Sequence, residues 1–219
     1  MSAPGFEALT ETGWERAGPT SGAVTLIACG ALAREVLALQ QANGWEWMRL
    51  TCLPAKLHNA PERIPDAVRR RIREVRDEGA RAVFVLYADC GTGGLLDRVC
   101  EEEGATRIPG PHCYSFFAGN EAFAETAEEE DLTAFFLTDF LARQFDTLIW
   151  RGLGLNRHPD MRDMLFGHYT KLVYLVQAED PVLDARAEEA AHRLGLAYER
   201  RVTGYGDLAP FLAHAAAAR

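Results

Sequence analysis

The chain has no apolar run approaching the roughly 18 residues that a bilayer-crossing helix needs. Nor has it a surplus of basic residues. With 32 acidic against 23 basic side chains the net charge is −9, which excludes the polycationic face that nucleic acid or an anionic lipid surface would require. The first residues, MSAPGFEALTETGWE, lack the basic-then-apolar order of a secretory signal. The reading is therefore a cytoplasmic protein with no membrane and no nucleic-acid partner. No CxxC pair occurs, which removes the local signature of a zinc ribbon. GxxxxGK[ST], GxGxxG and GxSxG are also absent, so nucleotide-phosphate loops and serine-hydrolase elbows find no support. There is no internal repeat and no low-complexity linker.

What is present is an alternation of strand-like and helix-like segments. The clearest strand is Val83-Phe84-Val85-Leu86-Tyr87, continuously apolar as expected of a strand buried on both faces of a parallel sheet. It runs into Asp89-Cys90-Gly91-Thr92-Gly93-Gly94 and then a helical pattern. Further strands are expected at 23–28, 46–53, 105–108, 134–137, 172–176 and 197–202. Helices are expected at 31–42, 64–79, 94–103, 139–150, 160–168, 182–195 and 205–217. Ile64, Val68, Ile72 and Val75 form an apolar stripe on the second of these. Its arginines Arg69, Arg70, Arg73 and Arg76 are interleaved with Glu74, Asp77 and Glu78, which reads as a solvated face rather than a phosphate site. The acidic run at 125–131 reads as a helix end and a turn.

The pattern predicts an α/β fold, a Rossmann-like sandwich whose mainly parallel sheet is flanked by helices. Residues 1–22, ending in Gly18-Pro19-Thr20-Ser21-Gly22, read as a flexible N-terminal arm. Residues 23–219 read as a single α/β domain, or one with two lobes.

Five cysteines in a chain of this kind point to metal binding or reactive thiols rather than disulfides. Three of them, Cys29, Cys90 and Cys113, stand at strand-to-helix or turn-to-helix junctions. In α/β proteins the carboxyl ends of parallel strands face the ligand crevice. Cys52 and Cys100 fall inside regular elements and read as ordinary buried cysteines. Separations of 61 and 23 residues between the three junction thiols suit ligands from successive strands. The expected metal ligands are Cys29, Cys90 and Cys113, with His58 or His112 as a fourth. Zinc suits such a donor set, and an iron–sulfur cluster uses the same thiolates. Three separate thiols, each chosen for small size at a tight junction, is the competing structural reading. Gly91, Thr92 and Gly93 would bring the backbone close to a cofactor or small-molecule ligand at Cys90, and His58 with Asn59 lies in a loop that no periodicity explains.

ACG at 28–30, LHNAPERIP at 57–65, YADCGTGG at 87–94 and HCYSFFAG at 112–119, in that order, resemble the DUF1638 family over roughly residues 23–205. The resemblance implies functional roles for Cys29, Cys90 and Cys113, and for His58 and Asn59. It departs at Phe136-Leu137-Thr138-Asp139-Phe140, where the family often has a strand followed by Gly-Trp. It further implies a setting in corrinoid-linked one-carbon metabolism, with a corrinoid protein as partner. The reaction would be a methyltransferase step between a corrinoid and tetrahydrofolate. His58, Asn59 and Asp89 would then be the catalytic residues, Asp89 contacting a pterin. The alternative under the same resemblance is a metal- or iron–sulfur-binding accessory protein that matures or reactivates a methyltransferase system.

Overall fold

Six consecutive residues, Val-Thr-Leu-Ile-Ala-Cys, are buried in strand β2 (Val24–Cys29), because it lies at the centre of a sheet with a parallel neighbour on each side. The computed structural model describes residues 4–16, 18, 24–126 and 131–218. Ahead of β2 come helix α1 (Phe6–Glu11) and strand β1 (Trp14–Arg16). After it, in order, are α2 (Ala33–Asn43), β3 (Arg49–Leu53), α3 (Ile64–Asp77), β4 (Ala82–Leu86), α4 (Leu95–Glu102) and β5 (Thr106–Arg107). Short helices α5 (Cys113–Ala118) and α6 (Asn120–Thr126) follow. The remainder is β6 (Ala134–Leu137), α7 (Asp139–Gln144), α8 (Met161–Phe166), β7 (Lys171–Val176), α9 (Pro181–Leu194), β8 (Ala197–Val202) and α10 (Leu208–Ala217). Among the described residues no helix is long and apolar enough to cross a membrane.

The fold is α/β, built on two sheets. One has the order β1-β3-β2-β4-β5 and the other β6-β7-β8. The three-stranded sheet is parallel throughout. The five-stranded sheet is mixed, since β1 runs antiparallel to β3 while the remaining pairs are parallel. That antiparallel edge strand comes from the stretch read as an arm. Glu15 and Arg49 pair across it, and Gly13 holds φ +85° where a Cβ would meet the Cys52 carbonyl at 2.4 Å. Residues 1–3, 17 and 19–22 of that stretch and residues 127–130 of the acidic run lie outside the described residues.

The chain divides into two compact units, Met1–Cys113 with Asp207–Arg219, and Tyr114–Gly206. In the first, α3 buries Ile64, Val68, Ile72 and Val75, each such side chain stabilising the fold by roughly 1.5–3 kcal/mol. Its outward arginines pair with α4, Arg69 with Glu102 at 2.7 Å and Arg73 with Glu103 at 2.7 Å. Acidic partners thus occupy these arginines, as the reading of a charge-balanced face rather than a phosphate site expects. The helix α10 returns to this unit, setting Phe211 edge-on to Phe84 of β4, 5.9 Å between ring centres. In the second unit, Leu137, Leu172, Tyr174, Val176, Leu183 and Leu194 form the core. The helix expected over 139–150 is α7 followed by a wider π turn at Phe145–Trp150. There the Arg151 N–H donates to the Asp146 carbonyl five residues back.

The strand order of the first unit decides where a ligand can bind. From β2 the chain crosses to β3 on one side, then through α3 to β4 on the other side of β2. The connections leaving the carboxyl ends of β2 and β4 therefore diverge, the arrangement at which α/β sheets commonly bind ligands.

Candidate metal centre

All four parallel strands of the first unit send a candidate residue to this same edge. Cys29 is the last residue of β2. His58 lies in a 3-10 turn, Ala55–Asn59, two residues beyond β3. Cys90 follows β4, and Cys113 follows β5 through the Pro109-Gly110-Pro111 turn.

Cys90 is the only non-glycine residue at positive φ among those described, at +50°. The left-handed region costs an L-residue about 1–2 kcal/mol, and such strain persists only where the surroundings over-determine it. Here they do. The Asp89 N–H donates to the Gly110 carbonyl and the Cys90 N–H to the Pro111 carbonyl, both at 2.9 Å. This clamp fastens the loop after β4 to the loop after β5, and Cys90 Sγ and Cys113 Sγ come within 3.1 Å. His58 Nε2 lies 3.6 Å from Cys113 Sγ.

Ligand atoms of His58, Cys90 and Cys113 all lie within 4.8 Å of one another. Cys90 is buried, Cys113 half-buried and His58 exposed, so the group is open on the histidine side. A His/Cys/Cys cluster of this size could bind a metal ion. Cys29 is not in the group. It is fully buried, with its Sγ 3.7 Å from the other imidazole nitrogen, Nδ1. The sequence reading placed the ion on Cys29, Cys90 and Cys113 with His58 or His112 as a fourth; the geometry gathers Cys90, Cys113 and His58, with Cys29 beside the other ring nitrogen. His112 is not in the cluster either.

The electrostatics separate the thiols. The Cys113 hydrogen bond, with His58 beside it, outweighs burial and lowers Cys90 to about 5. Cys113 shifts the opposite way because its proton is shared with the Cys90 thiolate and burial resists a second charge. His58 is exposed as a residue, yet desolvation of its ring opposes its charge; the Cys29 and Cys90 sulfurs nevertheless hold its pKa well above the ordinary imidazole value. Burial pushes Cys52 up strongly and Cys100 up to about 11. Those two are inert buried thiols.

Asp89 serves the loop. Its carboxylate accepts from Thr92 Oγ1 at 2.8 Å, Gly93 N–H at 3.2 Å and Gly94 N–H at 2.7 Å. Burial works against its charge, and these bonds nevertheless hold its pKa below the usual carboxylate value. Thr92 is buried, whereas Gly91 and Gly93 are exposed; the Gly91 position, at φ +85°, faces Pro61. Asn59 is exposed beside His58. The ACG motif has a packing cause as well as a thiol, since a Cβ on Gly30 would meet the Leu9 carbonyl of α1 at 2.2 Å.

Sequence reasoning did not single out Tyr87, the last aromatic of the β4 run. Its ring is fully buried and its hydroxyl has no hydrogen-bond partner. Burial above all disfavours its ionisation, and the neighbouring Cys29, Cys113 and Cys90 add to that. Its place at a strand end was the available signal, but an apolar strand hides a polar tip.

The model of a family described as "Protein of unknown function (DUF1638)" matches residues 52–212. His58, Cys90 and Cys113 fall inside that span, and Cys29 outside it. No curated protein matches the chain. One solved structure, "The structure of BdcA (YjgI) from E. coli", aligns over 91% of this chain and 92% of that one, at 16% identity and a TM-score of 0.21. That likeness is too low to support an inference about fold or function.

Proposed function

The chain belongs to the DUF1638 family, and from that premise we propose that it holds one thiophilic divalent ion, zinc, on Cys90, Cys113 and His58. One observation carries the reading: three ligand atoms from three separate strand-end connections lie within 4.8 Å of each other. Two sulfurs and an imidazole suit zinc and exclude the oxygen-seeking magnesium and calcium. Three protein ligands leave a fourth position open, the arrangement of catalytic rather than structural zinc. Iron–sulfur clusters are held by four ligands, mostly thiolates, so a two-sulfur group favours the single ion.

A zinc ion there would supply Lewis acidity to a bound thiol or alkyl acceptor. The chain's own residues do the rest. Asp89 ties down the loop that aims Cys90, and the exposed His58 and Asn59 form the edge that an acceptor meets. Methyl transfer between a corrinoid and tetrahydrofolate, with a corrinoid protein as partner, is the reaction we propose for the site. Its support is the family resemblance together with the open coordination position.

Elemental analysis of protein purified anaerobically under reducing conditions tests the metal. One zinc per chain is expected, lost in Cys90→Ser and in Cys113→Ser. Metal near zero in wild-type protein with intact thiols would overturn the reading. Methyl transfer from methylcobalamin to tetrahydrofolate, wild type against Cys90→Ser, tests the reaction: no transfer by the wild type would remove the reaction, and equal transfer by both proteins would remove the role of Cys90.

A further inference from the structure

We propose that Cys29 is a positioning residue, whose sulfur accepts the His58 Nδ1 hydrogen and so presents Nε2 to the ion held with Cys90 and Cys113. This rests on the metal reading above and assigns Cys29 a place outside the coordination sphere.

Three groups surround the Cys29 sulfur. The Ala31 N–H donates to it at 3.4 Å. The Tyr87 hydroxyl, buried and without a well-formed hydrogen bond, lies against it. His58 Nδ1 approaches it at 3.7 Å. Cys29 and Tyr87 are each fully buried. A sulfur facing a backbone N–H and a hydroxyl is placed to accept hydrogen bonds, and the third neighbour is then best placed as a donor too. In a neutral imidazole one nitrogen carries the hydrogen and the other offers its lone pair. A hydrogen on Nδ1 leaves the lone pair on Nε2, which is the nitrogen facing Cys113 at 3.6 Å. The two ring nitrogens point in diverging directions, so a sulfur seated on Nδ1 stands behind the ring as seen from an ion on Nε2. Metal-bound histidines commonly donate their second N–H to a partner that fixes the ring, and losing that partner weakens metal affinity by about 10- to 100-fold.

Cobalt(II) titration of metal-stripped protein tests this, because thiolate-to-cobalt charge-transfer absorption grows with the number of sulfur ligands. The wild type should bind one ion. Cys29→Ser, which keeps an acceptor, should retain the full charge-transfer intensity, while Cys90→Ser and Cys113→Ser should each lose at least half of it. Cys29→Ala should keep the intensity at saturation but bind cobalt about 10- to 100-fold more weakly, with Cys29→Ser recovering part of that loss. A one-third loss of intensity in Cys29→Ser would make Cys29 a third ligand and overturn the proposal. Unchanged affinity in Cys29→Ala would overturn it as well. Failure of the metal reading looks different: no charge-transfer band in the wild type, and this proposal falls with it. Because Cys29 is buried and its variants can misfold, nitrogen NMR of the His58 ring in zinc-loaded wild type gives a mutation-free check. The hydrogen is expected on Nδ1, and metal on Nδ1 would overturn the assignment.

Discussion

Each unit has polar groups at the carboxyl ends of its parallel strands, and the two treat them in opposite ways. In the Tyr114–Gly206 unit, Asp139 follows β6 and is saturated by its neighbours. Its carboxylate accepts from the Tyr174 hydroxyl at 2.8 Å, the Gln177 N–H at 3.2 Å and the Ala178 N–H at 3.0 Å. Its own N–H donates to Gln177 Oε1 at 2.8 Å. Burial raises the Asp139 pKa, the hydrogen bonds oppose the rise, and no polar atom of the network lacks a partner. In the other unit the same location carries sulfur and imidazole contacts of 3.1–3.7 Å, a strained Cys90 and an orphaned Tyr87 hydroxyl. A satisfied network stabilises its unit; an unsatisfied one is a place for a ligand.

Mutations can break this contrast. Asp139→Ala has the largest expected effect, since it leaves the buried Tyr174 hydroxyl and the buried Gln177 N–H without their acceptor. A loss of about 3 kcal/mol is expected in urea denaturation, with zinc content unchanged. Loss of zinc in that variant would mean that the metal centre depends on the Asp139 network.

Two tyrosines give the most direct comparison. Tyr174→Phe removes a donor to a buried carboxylate and should cost about 1.5–3 kcal/mol. Tyr87→Phe removes a buried hydroxyl that has no well-formed hydrogen bond, so stability should stay the same or rise. Equal losses in the two variants would abolish the distinction drawn here.

A smaller effect tests the strain at Cys90. With the thiol gone in both, metal-free Cys90→Gly should be more stable than Cys90→Ala by about 1 kcal/mol, because only glycine enters the left-handed region freely. Equal stability would show that the loop relaxes to negative φ once the sulfur is removed.

The smallest signal is spectroscopic. A Cys90 pKa lowered to about 5 means a thiolate above that pH and a thiol below it. Ultraviolet thiolate absorbance of metal-free protein should therefore persist at neutral pH and disappear as the pH falls through about 5. Cys90→Ser should lack this step. A transition near the ordinary thiol pKa of about 8.5 would remove the electrostatic account of the cluster.

Much of this was legible in the residues. The continuous apolar run of β4 read as a doubly buried strand and is one. The stripe of α3 buried the four residues its spacing picked out. His58, Cys90 and Cys113 were named from their residue types and places at turns, and Cys52 and Cys100 as inert. Other features were out of reach. The Trp14–Arg16 strand is three residues long, too short to show a period, and exists because Arg49 and Cys52 of β3 offer it a partner. Asp89 was given a pterin contact through the resemblance, and no local pattern reveals that Thr92, Gly93 and Gly94 turn back onto its carboxylate.

By itself the sequence determined the elements and the chemistry available to them, because hydrophobic period, turn residues and side-chain type are local properties. Only the tertiary structure decided which donors meet. The three residues span 55 positions along the chain, from His58 to Cys113, and they converge because β3 and β4 pair on opposite sides of β2. Strand order is a long-range choice, and it seated two sulfurs and an imidazole together while turning the third sulfur to the back of the ring.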